Sequence, residues 1–355
     1  MRKMAQIKLE APAKINLVLE VLGKREDCYH EIRTIFQSIS LCDMITLREI
    51  KNGVKLHLCK APTTICRVNS ATTSRINSAT TSRINSATTS RINSATTSRV
   101  NSATTSRINS ATTSRINSAT TTYIKPSENL AYKAALLFLK SSGIKKGVEV
   151  YLEKNIPVGS GLGGGSSNAA SVLLGLNKLW KVGFTRDNLK MMALKIGMDV
   201  PFFIDGGMAY ATGRGERVRK VSPHPSFWVL LIDPGFPIST KWAYDNIDNS
   251  LLLTKNHSYA KIMLNAIKKR SIKKIAGFLF NRFEELINKE YPNFLENTKC
   301  KLADAGAIGT LMTGSGPVVF GIVEGRRDAY RGLERIRSTT KEKVYLAKTI
   351  GGSWR

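Results

Sequence analysis

The stretch PVGSGLGGGSSNAA, residues 157–170, decides how this chain is read. Apolar alternation at Val148, Val150 and Leu152 predicts a strand running into it. Ala169, Val172, Leu173, Leu176 and Leu179 predict one face of a helix running out of it. Between them lie Gly159, Gly161, Gly163, Gly164 and Gly165, with Ser166 and Ser167 at the helix start. Glycines let the backbone bend tightly and approach a ligand, because no Cβ intervenes. A helix N-terminus adds unpaired N–H groups and partial positive charge, so the stretch is read as a phosphate seat. A flexible linker would not be bracketed by a strand and an amphipathic helix.

The kind of phosphate seat is narrowed by spacing. There is no G-x-x-x-x-G-K-[ST], which removes a Walker-type loop. Gly159, Gly161 and Gly164 do satisfy G-x-G-x-x-G, the dinucleotide fingerprint. That fingerprint wants an acid about 20 residues on, at the end of a second strand. Asp187, the nearest candidate, falls in the first turn of an expected helix instead. A nicotinamide dehydrogenase is therefore a weak alternative.

Working outward, the chain has 355 residues, enough for a sizeable core and two domains. No run of 18 apolar residues occurs, so no membrane span is expected. The N-terminus enters a strand-like pattern almost at once, leaving no room for a signal or transit peptide. Five scattered cysteines without C-x-x-C suit reduced thiols, and a cytoplasmic location is expected. The net charge of +28 raises nucleic acid as a partner. Seven of the arginines, however, lie in a repeat tract, and no aromatic-interleaved basic motif or zinc finger occurs. A basic surface that attracts polyanionic small substrates is favoured over a nucleic-acid groove.

Residues 5–22 predict one or two strands around APAKIN (11–16), then a turn over 23–31 and short strands at 32–39, 44–50 and 54–59. From 67 to 122 the chain repeats R-[IV]-N-S-A-T-T-[ST] in seven copies of eight residues. One aliphatic residue per copy cannot offset the ordering entropy, so a disordered surface loop is expected, with a stacked β-solenoid as the alternative. Helices are predicted from Pro126–Ser127 to Ser142–Gly143, after the glycine stretch, and from Thr185 to Gly197. Asp199 then falls on a loop in DVPFFIDGG. A proline-rich joint (Pro223, Pro225) leads to a strand at 227–233 and to helices near 240–247, 258–270, 272–288 and 293–304. A second glycine loop, TGSGP (313–317), runs into the strand VVFGIV.

No G-x-S-x-G elbow is present, and the four histidines lack metal-ligand spacing. Chemistry built on the phosphate loop needs an acceptor-side base and a cation for developing charge. Asp199 is a candidate base and Lys14 a candidate cation; a surface charge or a helix-end salt bridge is the alternative for each.

Residues 157–166 match P-x-x-x-G-L-G-S/G-S/G-S, and the chain resembles the GHMP-superfamily kinases. APAKINLVLEVLGKREDCYHEIRTIFQSI, SENLAYKAA, MDVPFFIDGGMAYATGRGE and MTGSGPVVFG narrow the resemblance to the branch acting on 4-diphosphocytidyl-2-C-methylerythritol in non-mevalonate isoprenoid synthesis. It implies an α+β fold with two domains, 1–222 (interrupted by the 67–122 insertion) and 223–355, and an active site in the cleft between them. It implies ATP and Mg²⁺ as cofactors and a small-molecule substrate. ATP phosphates would lie on Pro157, Val158, Gly159, Ser160, Gly161, Leu162, Gly163, Gly164, Gly165, Ser166 and Ser167, with Asn129 near the nucleotide. Asp199 would take the proton of the substrate's 2-hydroxyl, oriented by Lys14, with Asn16 on the same sugar alcohol. Tyr29 and His30 would hold the cytosine, with Tyr244 as second stacking aromatic. Thr240, Gly314 and Ser315 would face phosphate groups. Two departures stand out: the repeat tract, and Cys28 where the family usually has glycine in D-G-Y-H. If that position needs a positive φ, cysteine strains the turn.

Overall fold

The computed structural model describes residues 5–60, 126–247 and 258–352. The expectation of a disordered loop at 67–122 lies outside them. The described residues form one compact unit.

Two long strands open the chain. Strand β1 (Gln6–Lys24) and β2 (His30–Ile50) pair antiparallel, and residues 11–21 of β1 are buried without a break. Such a run needs cover on both faces of the sheet. One face is covered by a helix whose Gly175 fits against Leu9 and Leu47. The other carries Ala13, Ile15 and Leu17 into a core shared with Phe227, Val229, Met263 and Phe320. That core draws on residues from both sides of the proline-rich joint. The β1–β2 ladder shifts register between Pro12 and Lys14, between Asn16 and Val18, and between Val21 and Gly23. Bulges of this kind re-aim side chains locally, and here they bracket Lys14 and Asn16.

Separate strands at 32–39 and 44–50 are not found; β2 runs through both. The polar interruption at Asp43 is fully buried and accepts from the backbone N–H groups of Asn155 and Ile156 and from Lys154. A tertiary partner satisfies a residue that local propensity reads as a break.

The remaining elements are β3 (Val54–Lys60), α1 (Leu130–Ser142), β4 (Gly147–Lys154), α2 (Gly164–Trp180), α3 (Arg186–Leu194), α4 (Val200–Asp205), β5 (Met208–Gly213), β6 (Arg217–Lys220) and β7 (Trp228–Asp233). They are followed by α5 (Thr240–Asp245), α6 (Tyr259–Lys268), α7 (Ile272–Gly277), β8 (Phe280–Asn281), α8 (Phe283–Glu290), α9 (Phe294–Asp304), β9 (Gly309–Met312), β10 (Val319–Val323), α10 (Arg326–Thr339) and β11 (Lys343–Lys348). Among the described residues the first sheet has the path β3-β4-β2-β1-β8, with β5 on β2 and β6 on β5; the second runs β11-β7-β10-β9. Gly143 ends α1 in the left-handed conformation, and Thr185 caps α3 with a full capping box, as expected.

The single helix expected over 272–288 is two helices. Between them Phe280 and Asn281 pair in parallel with Val18 and Leu19 of β1, and Phe280 stacks on Tyr259 at 3.9 Å. Sheet pairing and ring stacking overrode a helical apolar period. No helix among the described residues is long and apolar enough to cross a membrane.

Candidate active site

The glycine stretch leaves β4 and enters α2 as the spacing requires. Gly159, Gly161 and Gly163 have φ of +66°, +77° and +70°, conformations that L side chains avoid. Gly163 is the N-cap of α2 and offers no side-chain cap. The N–H groups of the first turn are thus left for a ligand with negative charge. Lys154, paired with Asp43, brings its ammonium to the start of the helix: a Cβ on Gly164 would lie 3.1 Å from Nζ.

A second glycine loop sits directly on the first. A Cβ on Gly161 would lie 2.0 Å from the carbonyl oxygen of Thr313, and one on Gly314 would lie 2.9 Å from that of Gly161. Both positions have positive φ, so backbone-to-backbone packing here requires glycine twice over. Asn281 supports this second loop. Its Nδ2 donates to the carbonyls of Met312 (2.7 Å) and Gly314 (2.8 Å).

Lys14 and Asn16 reach the loop contact from the bulged part of β1. Lys14 Nζ donates to Gly161 O at 2.7 Å and to Asn16 Oδ1 at 2.5 Å, and its backbone N–H donates to Leu162 O at 3.0 Å. The ammonium also lies 5.5 Å from the centre of the Phe36 ring. Asn16 exchanges hydrogen bonds with Thr313: its N–H donates to Oγ1 at 3.1 Å, and Oγ1 donates to Oδ1 at 3.3 Å. Its Nδ2 donates to Thr34 at 2.8 Å. Burial pushes the Lys14 ammonium below its ordinary range, and the negative charge of Asp199 opposes that shift.

Asp199 is half-buried and lies at the N-terminus of the short helix α4, not on an open loop. Its carboxylate makes no capping bond to that helix. The charge acts on Lys14 and also on Tyr244, whose hydroxyl is pushed up by burial first and by Asp199 second. Gly215 approaches from the β5–β6 turn, where a Cβ would lie 3.8 Å from Asp199 Oδ1.

The aromatic end is arranged in two parts. His30 stacks on Tyr244 at 5.3 Å, and Tyr244 meets the edge of Phe283 at 4.9 Å. Burial and the charge of Lys24 hold the His30 imidazolium below its ordinary range, against the pull of Asp245. Tyr29 is exposed, with Arg214 over its ring at 4.8 Å. Thr240 Oγ1 and Ser315 Oγ share a hydrogen bond of 3.0 Å. Asn129 caps α1 through Oδ1, which accepts from Ala131 N at 2.9 Å.

Lys14, Asn16, the glycine stretch and the 313–316 loop are therefore one hydrogen-bonded assembly, with Asp199 coupled to it by charge. Thr313, Thr34, Asn281 and Arg214 were not legible as site residues from the sequence. TGSGP marks the loop that holds Thr313, and Thr34 and Arg214 lie in segments that carry the family resemblance, but nothing in the sequence assigns those two or Asn281 to the site. Among the described residues no group of three or more His, Cys, Asp or Glu side chains could hold a metal.

Known proteins carry the same pattern. The GHMP kinase N-terminal domain family matches residues 129–207, and the GHMP kinase C-terminal family matches 263–342. The 4-diphosphocytidyl-2-C-methyl-D-erythritol kinase of Caldicellulosiruptor bescii is 34% identical over 347 residues, covering 98% of this chain and 99% of the relative. The chain belongs to the 4-diphosphocytidyl-2-C-methyl-D-erythritol kinase family of GHMP kinases. The family member from Pelotomaculum thermopropionicum is 35% identical over 340 residues, covering 96% of each chain. A crystal structure of 4-(cytidine 5'-diphospho)-2C-methyl-D-erythritol kinase superposes with a TM-score of 0.67 at 27% identity, over 98% of this chain and all of the other. Homoserine kinase from Cytophaga hutchinsonii shares the fold at 16% identity, with a TM-score of 0.63 over 99% and 96% of the two chains. The mixed α/β two-domain GHMP kinase fold is the family's fold.

Proposed function

We propose that this chain transfers a phosphoryl group from ATP to the 2-hydroxyl of 4-diphosphocytidyl-2-C-methyl-D-erythritol, a step in the synthesis of isoprenoid precursors. The observation that carries this reading is the end-to-end similarity to kinases named for that substrate. The reaction runs in a cleft between an N-terminal domain (1–222) and a C-terminal domain (223–355).

Phosphoryl transfer asks the protein mainly for positioning and charge stabilisation. The α2 N-terminus and the glycine stretch hold the phosphates of ATP, with Asn129 near the nucleotide. Asp199 accepts the proton of the attacking hydroxyl, and its carboxylate is uncommitted to its own helix. Lys14 orients that hydroxyl and balances the charge of Asp199. Its fixed bonds to Gly161 and Asn16 support a preorganised role. Asn16 contacts the sugar alcohol, Thr240, Gly314 and Ser315 face the phosphates, and Tyr29, His30 and Tyr244 receive the cytosine.

The residues present fit Mg²⁺ in the manner of a phosphate-bound ion. Ser167 Oγ is fully buried near the start of α2 with no hydrogen-bond partner. Mg²⁺ commonly takes few protein ligands and relies on substrate phosphates and water, so Ser167 is the residue that would hold it. When bound, it would neutralise phosphate charge.

Incubation with the cytidine substrate and ATP should release ADP and form a 2-phosphate. Asp199→Asn should keep binding both substrates and lose turnover by about 10²–10⁴-fold. Near-normal turnover in that variant would remove Asp199 as the base.

A further inference from the structure

The turn that presents Tyr29 is held partly from within and partly from the β5–β6 turn. Cys28 has φ of +64°, a left-handed conformation that strains a residue with a Cβ. Within the turn, Arg25 N–H donates to Tyr29 O (2.7 Å) and Cys28 N–H to Arg25 O (3.1 Å). The other restraints are charged. Asp27 Oδ1 accepts from Arg25 Nε and from Tyr29 N–H, each at 3.2 Å.

The β5–β6 turn reaches across to this segment. Gly213 N–H donates to Glu31 Oε1 at 3.1 Å, and Arg25 pairs with the other oxygen of the same carboxylate. Arg214 N–H donates to Glu216 at 2.6 Å, fixing where the side chain departs. The Arg214 guanidinium then lies 4.8 Å from the Tyr29 ring centre and 4.0 Å from Asp27. Its side chain is only 26% exposed, and Nε is buried without a hydrogen-bond partner. The guanidinium is thus held between the ring face it covers and the Asp27 carboxylate.

We infer that Arg214 is a positioning residue for the nucleobase end of the substrate: it covers one face of Tyr29 and holds the turn in the shape that Cys28 strains against. The inference rests on the proposed function, in which Tyr29 receives the cytosine. Through Gly215 the same turn borders Asp199, so one loop aligns the base-binding end with the acceptor end.

The test is a four-member cycle of the full chain: unmodified, Arg214→Ala, Cys28→Gly and the double variant. Each is measured for cytidine-substrate KM, ATP KM, kcat and thermal midpoint. Arg214→Ala should raise the cytidine-substrate KM about five- to tenfold while kcat and ATP KM stay within about twofold. Glycine relaxes the left-handed position, so the double variant should recover at least half of that loss on a logarithmic scale. An unchanged KM in a folded Arg214→Ala, a parallel loss of kcat, or a double variant as weak as Arg214→Ala would each overturn the inference. Absence of turnover in the unmodified chain would instead overturn the proposed function. In that case isothermal titration of the cytidine substrate against the same four proteins still decides the role of Arg214, with the same expected ratios.

Discussion

The ammonium of Lys14 donates a 2.7 Å hydrogen bond to the main-chain carbonyl of Gly161, 147 residues further along the chain. This contact joins the bulged part of β1 to the phosphate-type loop. Its geometry is inseparable from the second glycine loop, because Gly161 also packs on the backbone of Thr313. A single buried cation thus sits where three distant segments meet.

Replacing Lys14 by Met removes a charge that burial disfavours but leaves Gly161 O without its donor. Those effects oppose each other, so stability should change by no more than about 2 kcal/mol. Turnover should fall by about 10²–10³-fold, as expected for a lost preorganised donor. Urea unfolding and steady-state kcat check the two numbers. Loss of stability in proportion to activity would make Lys14 a structural residue.

The lowered Lys14 pKa fixes a sign for stability against pH. The native state holds this proton less tightly than the unfolded chain, whose lysine titrates near 10.5. Between the lowered native value and 10.5 the unfolded state binds more protons, so this group's contribution rises with pH. The stability of Lys14→Met relative to the unmodified chain should therefore fall as pH climbs through that window. Paired denaturation curves from pH 7 to 10.5 measure it, and a constant difference would contradict it.

Two glycines of the same loop should respond very differently to alanine. At Gly161 the new Cβ meets a backbone oxygen at 2.0 Å, and φ is +77°. A loss of at least about 2 kcal/mol and a severalfold rise in ATP KM are expected. At Gly165 the nearest atom is Leu130 Cδ1 at 3.6 Å, and the residue is helical. Alanine there should be neutral in stability or slightly favourable. Thermal melts and ATP titration separate the two.

Asn281 holds two buried carbonyls of the second loop through one amide. Asn281→Ala should cost about 2–3 kcal/mol, because both acceptors lose their donor. Asn281→Asp should cost at least as much, since an ionised carboxylate cannot donate to them. Chemical denaturation checks both. A milder effect in the Asp variant would point to packing alone.

Much of the local structure was legible because its causes are local. Glycine spacing, the Thr185 cap and the Gly143 terminus each act within a few residues, and each appears where expected. The unbroken β2 and the division of 272–288 were not legible. Asp43 is satisfied by residues more than 110 positions away, and Phe280–Asn281 are captured by β1. The left-handed conformation at Cys28 was anticipated only conditionally, and the structure has it. Tyr244 was read as a stacking aromatic for the substrate's base; within the protein its ring packs on His30 and on the edge of Phe283.

The sequence by itself determined the class of loop, its helix and the family, because those follow from residue types at fixed short spacing. Tertiary structure alone decided that Gly161 lies against Thr313, that bulges aim Lys14 and Asn16 at that junction, and that Arg214 covers Tyr29. Those are relations between segments 147 to nearly 300 residues apart. Packing, hydrogen-bond satisfaction and charge between distant segments select them, and no local spacing encodes these.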